Sequence, residues 1–232
     1  MSGTCLLLDA TNRWIVCALK DGEGVHGTTR VAPGEASRRL IPMIQELMAT
    51  RKCTRPDWIV AARGPGSFTG ARITVSTARN LGQLWDVPVL GVESLVYYGA
   101  VCVRSGSHPR PGVLIDGKQN RVFARLVDAQ DSPRDWGDTD VLDVAPKALR
   151  ELWPEGTPLY VDDEAAVRRY MGDAWPDAPF EAMPEPDGAT LFELAETLGG
   201  IDAARSYEDL VPVYARPDPA HAKYPEGYTP KV

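Results

Sequence analysis

The chain has 232 residues, of which 44% are hydrophobic, and its formal net charge is −7. This length is enough for one sizeable hydrophobic core or for two smaller cores that share an interface. Nucleic-acid affinity depends mainly on neutralising phosphates with a basic face, so the acidic balance argues against a protein that holds RNA unaided. No apolar run approaches the length of a membrane span, and we expect no membrane segment.

The cysteines indicate a reducing compartment. Cys5, Cys17, Cys53 and Cys102 have no CxxC spacing, and three of them lie in or beside apolar runs. Reduced and mostly buried thiols are therefore expected, as is typical of a cytosolic protein. The apolar stretch near the N terminus is too short for a signal peptide. Together these features predict a cytoplasmic location.

Apolar runs, alternation and turn dipeptides predict an α/β protein. In chain order, the first half is predicted to contain strands at 4–8, 14–19, 25–31, 58–62 and 87–92, and helices at 37–51, 70–84 and 95–103. In the second half the patterns predict a strand at 159–161, a helix at 164–171, a loop at 175–186, a helix at 190–198 and a last strand or extended segment at 210–214.

The stretch 57–84 combines a strand, a glycine-rich turn and a helix. Five apolar residues in a row at 58–62 predict a strand that is buried on both faces. The following Arg-Gly-Pro-Gly cannot continue the strand, because proline lacks the N–H and glycine permits positive φ. Ser67 or Thr69 can then cap the helix.

The predicted helix carries a stripe of small residues. Ala71, Val75, Ala78 and Gly82 follow one another at spacings of four, three and four, and therefore share one face. A glycine inside a helix costs about 1 kcal/mol relative to alanine, so Gly82 predicts a close approach of another backbone. Two interpretations remain open: the stripe lies on the protein's own sheet, or it meets a helix of another chain.

An internal repeat at an offset of 107 residues predicts a duplicated fold. LLLDATNRWIVCALKD, from Leu6, aligns without a gap with VLIDGKQNRVFARLVD, from Val113, and places Asp9 on Asp116. We predict two βββαβα halves packed face to face, at 1–105 and 106–215, followed by a disordered tail at 216–232.

Asp9 and Asp116 are the strongest candidates for chemistry. At the ends of strands in such a fold they can face the cleft and hold the water shell of Mg²⁺ beside nucleotide phosphates. The alternative is that each aspartate caps a turn through its own backbone. The three histidines lack the spacing of helical metal ligands, so no metal site is expected. Ser67 lies outside a Gly-x-Ser-x-Gly elbow and is better explained as a helix cap.

The segment ARGPGSFTGARITVSTARNLGQLWDVPVLGVESL resembles the signature of the bacterial TsaB family. The LLLDAT start, the SRRLIPMIQEL helix, the LIDGKQNRVFA hairpin and VPVYAR near the end agree with it, so the resemblance covers residues 4–216. The departures are Ala36 in place of a histidine, Ala10 in the first turn, and Gly117 with Lys118 in the second. They affect expected partner contacts and nucleotide binding.

The resemblance implies an actin-like, Hsp70-like (ASKHA) duplicated fold and a non-catalytic subunit of the machinery that makes N6-threonylcarbamoyladenosine in tRNA. The subunit pairs with TsaD through helices that map to 37–52 and 70–84 here, and TsaE belongs to the same assembly. The expected interface consists of Leu40, Ile44, Gly70, Ala71, Arg72, Val75, Ala78, Arg79 and Gly82.

Several further points follow from the resemblance or remain open beside it. The chain needs no cofactor of its own, although ATP or ADP at the partner interface is an open alternative. Transfer RNA is contacted only indirectly, and a homodimer through the same helices is a second form of assembly. The competing function is an autonomous ATP-dependent kinase or ATPase of the same fold that uses Asp9 and Asp116.

Overall fold

The computed structural model describes residues 3–106, 108–137 and 141–216. The strands are β1 (Cys5–Asp9), β2 (Trp14–Asp21), β3 (Gly24–Val31), β4 (Trp58–Ala62), β5 (Val89–Val92), β6 (Gly112–Asp116), β7 (Val122–Leu126), β8 (Leu142–Val144), β9 (Leu159–Val161) and β10 (Phe180–Ala182). The α-helices are α1 (Ala36–Thr50), α2 (Phe68–Trp85), α3 (Ser94–Arg104), α4 (Pro133–Gly137), α5 (Leu149–Leu152), α6 (Glu164–Met171), α7 (Gly188–Thr197) and α8 (Gly200–Ala203).

Two five-stranded sheets have the same topology. Their strand orders are β3-β2-β1-β4-β5 and β8-β7-β6-β9-β10. In each sheet the central strand is antiparallel to the strand that follows it in the chain and parallel to the fourth strand of its half. The predicted duplicated ASKHA architecture is therefore confirmed. The predicted βββαβα unit has four strands and two helices, whereas among the described residues each half has five strands, with three α-helices in the first half and five in the second.

The repeat is not gapless. In the first sheet Asp9 pairs with Val16, whereas in the second sheet Asp116 pairs with Val122. The offset is 107 at the first strand (116 − 9) and 106 at the second (122 − 16). The prediction of an ungapped alignment was wrong by one residue, because six residues separate the paired Asp9 and Val16 whereas five separate the paired Asp116 and Val122. Residues 118–120 of the second hairpin all adopt positive φ, at 59°, 55° and 59°.

Local sequence signals explain where the helices begin. Ser67 caps α2, since its hydroxyl accepts a hydrogen bond from the Gly70 amide at 3.3 Å. Asp163 and Asp187 cap α6 and α7 in the same way. Pro42 lies in the second turn of α1 and not in the first turn, where proline is best tolerated.

Each half packs one of its helices on the sheet of the other half. Helix α3 of the first half packs on β6 and β7, and α7 of the second half packs on β1, β2, β3 and β4. One hydrophobic cluster therefore includes residues of both halves, such as Leu7, Tyr98, Val113 and Leu191. Removing either half would expose this shared core.

After α8 the chain returns to the first half. Residues 205–216, which we call the C-terminal strap, begin with reciprocal backbone hydrogen bonds between Arg205 and Val89 at 3.0 and 2.8 Å. The Val213 amide donates to the Arg63 carbonyl at 2.7 Å, so the predicted segment 210–214 is extended without being a strand of a sheet. Arg216 forms an ion pair with Asp143 at 2.9 Å, which contradicts a disordered tail from 216. The remainder of the predicted tail, 217–232, lies outside the described residues.

Two further expectations concern the loop 175–186 and the thiols. The loop prediction was wrong in part, because the backbone at Phe180–Ala182 pairs in parallel with β9. All four cysteines are free thiols; Cys53 is half-buried and the others are buried. Burial raises the pKa of Cys17 and Cys102 to about 12, so these thiols stay protonated. Within the ranges described, no helix is both long and apolar enough to cross a membrane.

Candidate functional site

The predicted interface residues lie mainly in the interior. The residues with buried side chains or backbone are Leu40, Ile44, Gly70, Ala71, Val75, Ala78 and Gly82. Of the nine residues, Arg72 alone is exposed, and Arg79 is half-buried. The expectation that the small-residue stripe is a surface for another chain was therefore wrong, and the alternative in which it lies on the protein's own sheet is correct.

Close approach of the protein's own backbone explains the glycines. A Cβ at Gly70 would lie 2.1 Å from the carbonyl oxygen of Ala10 in the turn after β1. A Cβ at Gly82 would lie 2.8 Å from the Cβ of Tyr207 in the C-terminal strap and 3.0 Å from Val89. Helix α2 is thus held against the turn, the sheet and the strap at distances that a side chain would prevent.

The outward side of α2 carries a different stripe. Ile73, Thr77, Asn80 and Leu84 recur at spacings of four, three and four, and we call this set the outer face of α2. Leu84 is 73% exposed, and Ile73 is partly buried. The neighbouring helix α1 exposes Ile41 at 43%. The two helices therefore offer exposed apolar side chains at positions that the sequence analysis did not select.

Asp9 is sealed inside the first half. It is 0% exposed, and its carboxylate accepts hydrogen bonds from the Tyr98 hydroxyl at 2.5 Å and from the Thr11 amide and hydroxyl at 2.7 Å each. Burial raises the pKa of Asp9, while these hydrogen bonds act in the opposite direction. The turn-capping alternative is correct for Asp9, and the prediction that it faces the cleft was wrong.

Asp116, the repeat partner of Asp9, reaches the cleft. It is 6% exposed and lines a cavity between the halves. Its carboxylate accepts hydrogen bonds from the Lys118 amide at 2.8 Å and the Tyr170 hydroxyl at 3.0 Å, and forms an ion pair with the Lys118 ammonium. Only one of the two predicted aspartates is therefore at the cleft, and a two-aspartate kinase site is not formed.

Asp162, which follows β9, is a buried carboxylate that the sequence analysis missed. It accepts a hydrogen bond from the Asp116 amide at 2.8 Å. Burial raises its pKa from 3.8 to about 6, and the nearby Asp116 charge acts in the same direction. Its position directly after a short apolar strand, like that of Asp9 and Asp116, is the signal that could have identified it.

We expect Asp162→Asn to flatten the pH dependence of stability. The raised pKa means that the folded state binds the proton of Asp162 more tightly than the unfolded state does. The resulting contribution to the free energy of unfolding is complete below pH 3.8 and is lost as the pH rises through about 6. Asparagine keeps the acceptor for the Asp116 amide and cannot ionise. At pH 8 the variant should be more stable than the wild type by about 1–3 kcal/mol. Urea denaturation of both proteins at several pH values measures the free energy of unfolding. If this free energy changed with pH in the same way in both proteins, the prediction would be contradicted.

The cavity is about 490 Å³ and lies where three segments meet. They are the glycine-rich loop and first turn of α2 at 65–72, the β6–β7 turn at 116–119, and the end of the C-terminal strap at 213–216. The Ser94 hydroxyl supports the loop, since it accepts a hydrogen bond from the Gly64 amide at 3.1 Å and contacts the Thr11 hydroxyl at 2.9 Å. The glycine-rich loop of the signature segment therefore forms one wall of the cleft.

A group of potential metal ligands lies away from the cleft. Asp21, Glu23 and His26 place their ligand atoms within 4.8 Å of one another, which the sequence analysis did not foresee. The guanidinium of Arg51 donates to Asp21 at 2.8 and 3.0 Å and to Glu23 at 2.6 Å. One cationic side chain already forms ion pairs with both carboxylates, so the cluster is explained as an ion-pair network.

A family comparison matches most of the chain. The model described as "TsaD: tRNA N6-adenosine threonylcarbamoyltransferase" matches residues 15–160. The chain is 25% identical to the tRNA threonylcarbamoyladenosine biosynthesis protein TsaB of Escherichia coli over 230 residues, covering 95% of this chain and 97% of the relative. It is 25% identical to the protein of the same name in Bacillus subtilis over 231 residues, covering 97% and 99%.

The solved structure of YeaZ from Pseudomonas aeruginosa has the same fold. It superposes with a TM-score of 0.75 at 23% identity, covering 92% of this chain and 100% of the other. The matched family model spans both halves, and the two near-full-length relatives described above are TsaB proteins. The chain therefore belongs to the TsaD family, and within that family to the TsaB (YeaZ) group.

Proposed function

We propose that the chain is a non-catalytic dimerisation subunit that binds a TsaD partner in the cytoplasm. The heterodimer would allow transfer of the threonylcarbamoyl group to N6 of the adenosine next to the tRNA anticodon, and TsaE with ATP turnover would regulate the assembly. The chain would contribute a docking surface and would touch tRNA only indirectly, in agreement with its net charge of −7.

Two features support a subunit without chemistry of its own. The histidines, at 26, 108 and 221, lack the spacing that places two metal ligands on one helix face. Asp9 is fully buried and has its carboxylate oxygens hydrogen-bonded, so it cannot reach a substrate. Each feature removes one group that a catalytic relative would use.

The exposure of Leu84 is the observation that carries the docking proposal. At 73% it is the most exposed large apolar side chain among the described residues, and it ends the outer face of α2. Contiguous exposed apolar patches mark protein interaction sites, and we propose that Leu84, the half-buried Ile73 and Ile41 of the neighbouring helix α1 form such a patch. Docking through α1 and α2 would cover Leu84 and Ile41 while leaving the buried small-residue stripe in place.

We expect Leu84→Asp to weaken the complex with a TsaD partner by roughly 30-fold or more, because a central apolar anchor is worth about 2 kcal/mol or more. Isothermal titration of the purified partner into each variant measures the effect. Leu152→Asp is the matched control: this leucine is 54% exposed on the second half, and its replacement should leave the affinity unchanged.

Equal affinities for wild type and Leu84→Asp would contradict docking through this face. The same variants can separate the heterodimer from a homodimer. Light scattering of each variant without the partner measures the mass of the free chain and so shows whether a homodimer forms. Rates of tRNA modification in a reconstituted system should follow the affinities.

A further inference from the structure

The C-terminal strap lies on a track of glycines in the first half. Three strap residues, spaced three apart, each contact one glycine: the pairs are Tyr207 on Gly82, Leu210 on Gly91 and Val213 on Gly64. A Cβ at these glycines would lie 2.8, 2.7 and 2.8 Å from the strap, which is closer than a Cβ approaches other heavy atoms in proteins. The first half therefore fits this segment closely, because glycine leaves the necessary space.

The last residue of the strap crosses to the second half. The Arg216 guanidinium holds the Asp143 carboxylate of β8 through two hydrogen bonds of 2.9 Å each, and its Nη1 donates to the side-chain oxygen of Gln119 at 3.0 Å. We call these three residues the Arg216 clasp. The Val213 amide is bonded to the Arg63 carbonyl of the first half at 2.7 Å. The strap thus joins both halves within four residues, 213–216.

The β6–β7 turn that the clasp holds is strained. Lys118, Gln119 and Asn120 all have positive φ, which is costly for residues other than glycine. Strained backbone persists where the surrounding contacts hold it. Within the turn, the Gly117 amide donates to the Arg121 carbonyl at 3.0 Å, and the Arg121 amide donates to the Lys118 carbonyl at 3.1 Å. The bond from the strap to Gln119, in the middle of the turn, adds a contact from outside it.

One carboxylate connects the turn with the strap. Asp143 accepts a hydrogen bond at 2.9 Å from Arg121, which closes the turn, as well as the bonds from Arg216. Arg216, and to a smaller extent Arg121, lowers the pKa of Asp143, although partial burial acts in the opposite direction. The carboxylate is therefore ionised at neutral pH, and the turn and the strap share one charged anchor.

We propose that the Arg216 clasp is a latch that keeps the strained turn and the end of the strap closed as one unit. When the guanidinium leaves Asp143, the turn loses its contact at Gln119 and relaxes, and residues 213–216 separate from the first half together with it. The start of the strap stays in place, because Leu210 is 5% exposed and the backbone of 205 is paired with that of 89. The opening is local and leaves both halves folded. A contact made elsewhere on the molecule can bias such a two-state element.

Hydrogen exchange of the free full-length chain, resolved by residue with NMR, tests the proposal. The informative amides are those of Gly117 and Arg121 in the turn and of Val213 in the strap, since each is hydrogen-bonded only while its segment is closed. In Arg216→Gln all three should exchange about tenfold faster than in the wild type, and by similar factors, because one opening exposes them together.

Arg205→Gln is the matched control at the other end of the strap. The Arg205 side chain donates to the carbonyl oxygens of Asp202 and Ala204 at 3.0 Å each, so its replacement removes local contacts and should leave the three amides unchanged. In Arg216→Gln the Val89 amide, bonded to the start of the strap, should keep its wild-type rate. Unchanged exchange of the three amides would overturn the latch. Equal acceleration at Val89 would also overturn it, because the opening would then be global.

Asn120→Val tests whether the turn acts back on the strap. A β-branched residue is disfavoured at positive φ, so this replacement adds strain to the turn at a residue outside the clasp. Opening as one unit requires the Val213 amide to exchange about three- to tenfold faster together with the Gly117 amide. Acceleration in the turn alone would show two independent elements and contradict the proposal. All these rates are measured without a partner, so the outcome does not depend on docking through α2.

Discussion

Ala78→Trp is expected to lower the free energy of unfolding by at least about 3 kcal/mol, a large share of the stability of a typical domain. Ala78 is 0% exposed and belongs to the hydrophobic cluster that α2 forms with β1 and β4, which includes Leu6 and Ile59. An indole ring has no space there, so the helix must move off the sheet or the core must open. Urea denaturation followed by circular dichroism measures the loss.

Ser76→Trp is the control for this prediction. Ser76 lies two residues earlier on the exposed side of the same helix, and its replacement should change stability by no more than about 0.5 kcal/mol. If the two tryptophan variants had the same denaturation midpoint, position 78 would be accessible, and the small-residue stripe would again qualify as a surface for another chain.

Arg125→Met is expected to lower the free energy of unfolding by about 3–5 kcal/mol at pH 8. Arg125 in β7 of the second half pairs with Glu93, which precedes α3 in the first half, at 2.7 Å; their side chains are 1% and 15% exposed. Burial raises the pKa of Glu93, and the Arg125 charge opposes that rise. Without the arginine, the buried carboxylate keeps only the weaker compensating charge of Arg63.

The size of this loss should depend on pH in a defined direction. A raised pKa means that the stability contributed by protonated Glu93 is present at low pH and is lost as the pH rises. The Arg125→Met defect should therefore be smaller at pH 5 than at pH 8. The double variant Glu93→Gln/Arg125→Met should recover most of the stability, because the buried charge has been removed.

Arg110→Met supplies the comparison for an exposed pair. Arg110 is 58% exposed and lies 3.0 Å from Asp128, so breaking that pair should cost less than about 1 kcal/mol. If Arg125→Met cost as much in the Glu93→Gln background as in the wild type, its effect would be due to lost packing and not to the buried charge.

The two halves of the fold could be predicted because the sequence patterns that indicate them involve residues that are neighbours in the chain. Alternating and continuous apolar runs indicated most strands, and the repeated strand–aspartate–turn pattern indicated the duplication that the two sheets confirm. The one-residue slip at β7 escaped notice, because an apolar run of buried residues fits either register when both faces of the strand are covered. The short strand β10 escaped because its three residues lie among prolines.

The candidate sites could be predicted only in part, because burial depends on contacts between residues that are distant in the chain. Asp9 and Asp116 have equivalent places in the repeat, but Tyr98, 89 residues away, closes over Asp9 alone. Phe68, Phe123 and Tyr214 form one cleft from three separate segments, and no spacing in the sequence connects them.

The amino-acid sequence by itself determined the duplicated α/β fold, the family and the loop–helix element at 57–84, because periodicity, turn chemistry and signature residues are read from neighbouring positions. Only the tertiary structure decided which side of α2 is free. A stripe of alanine and glycine indicates that something approaches closely, and here the approaching groups are the chain's own turn after β1, its sheet and Tyr207 of the C-terminal strap.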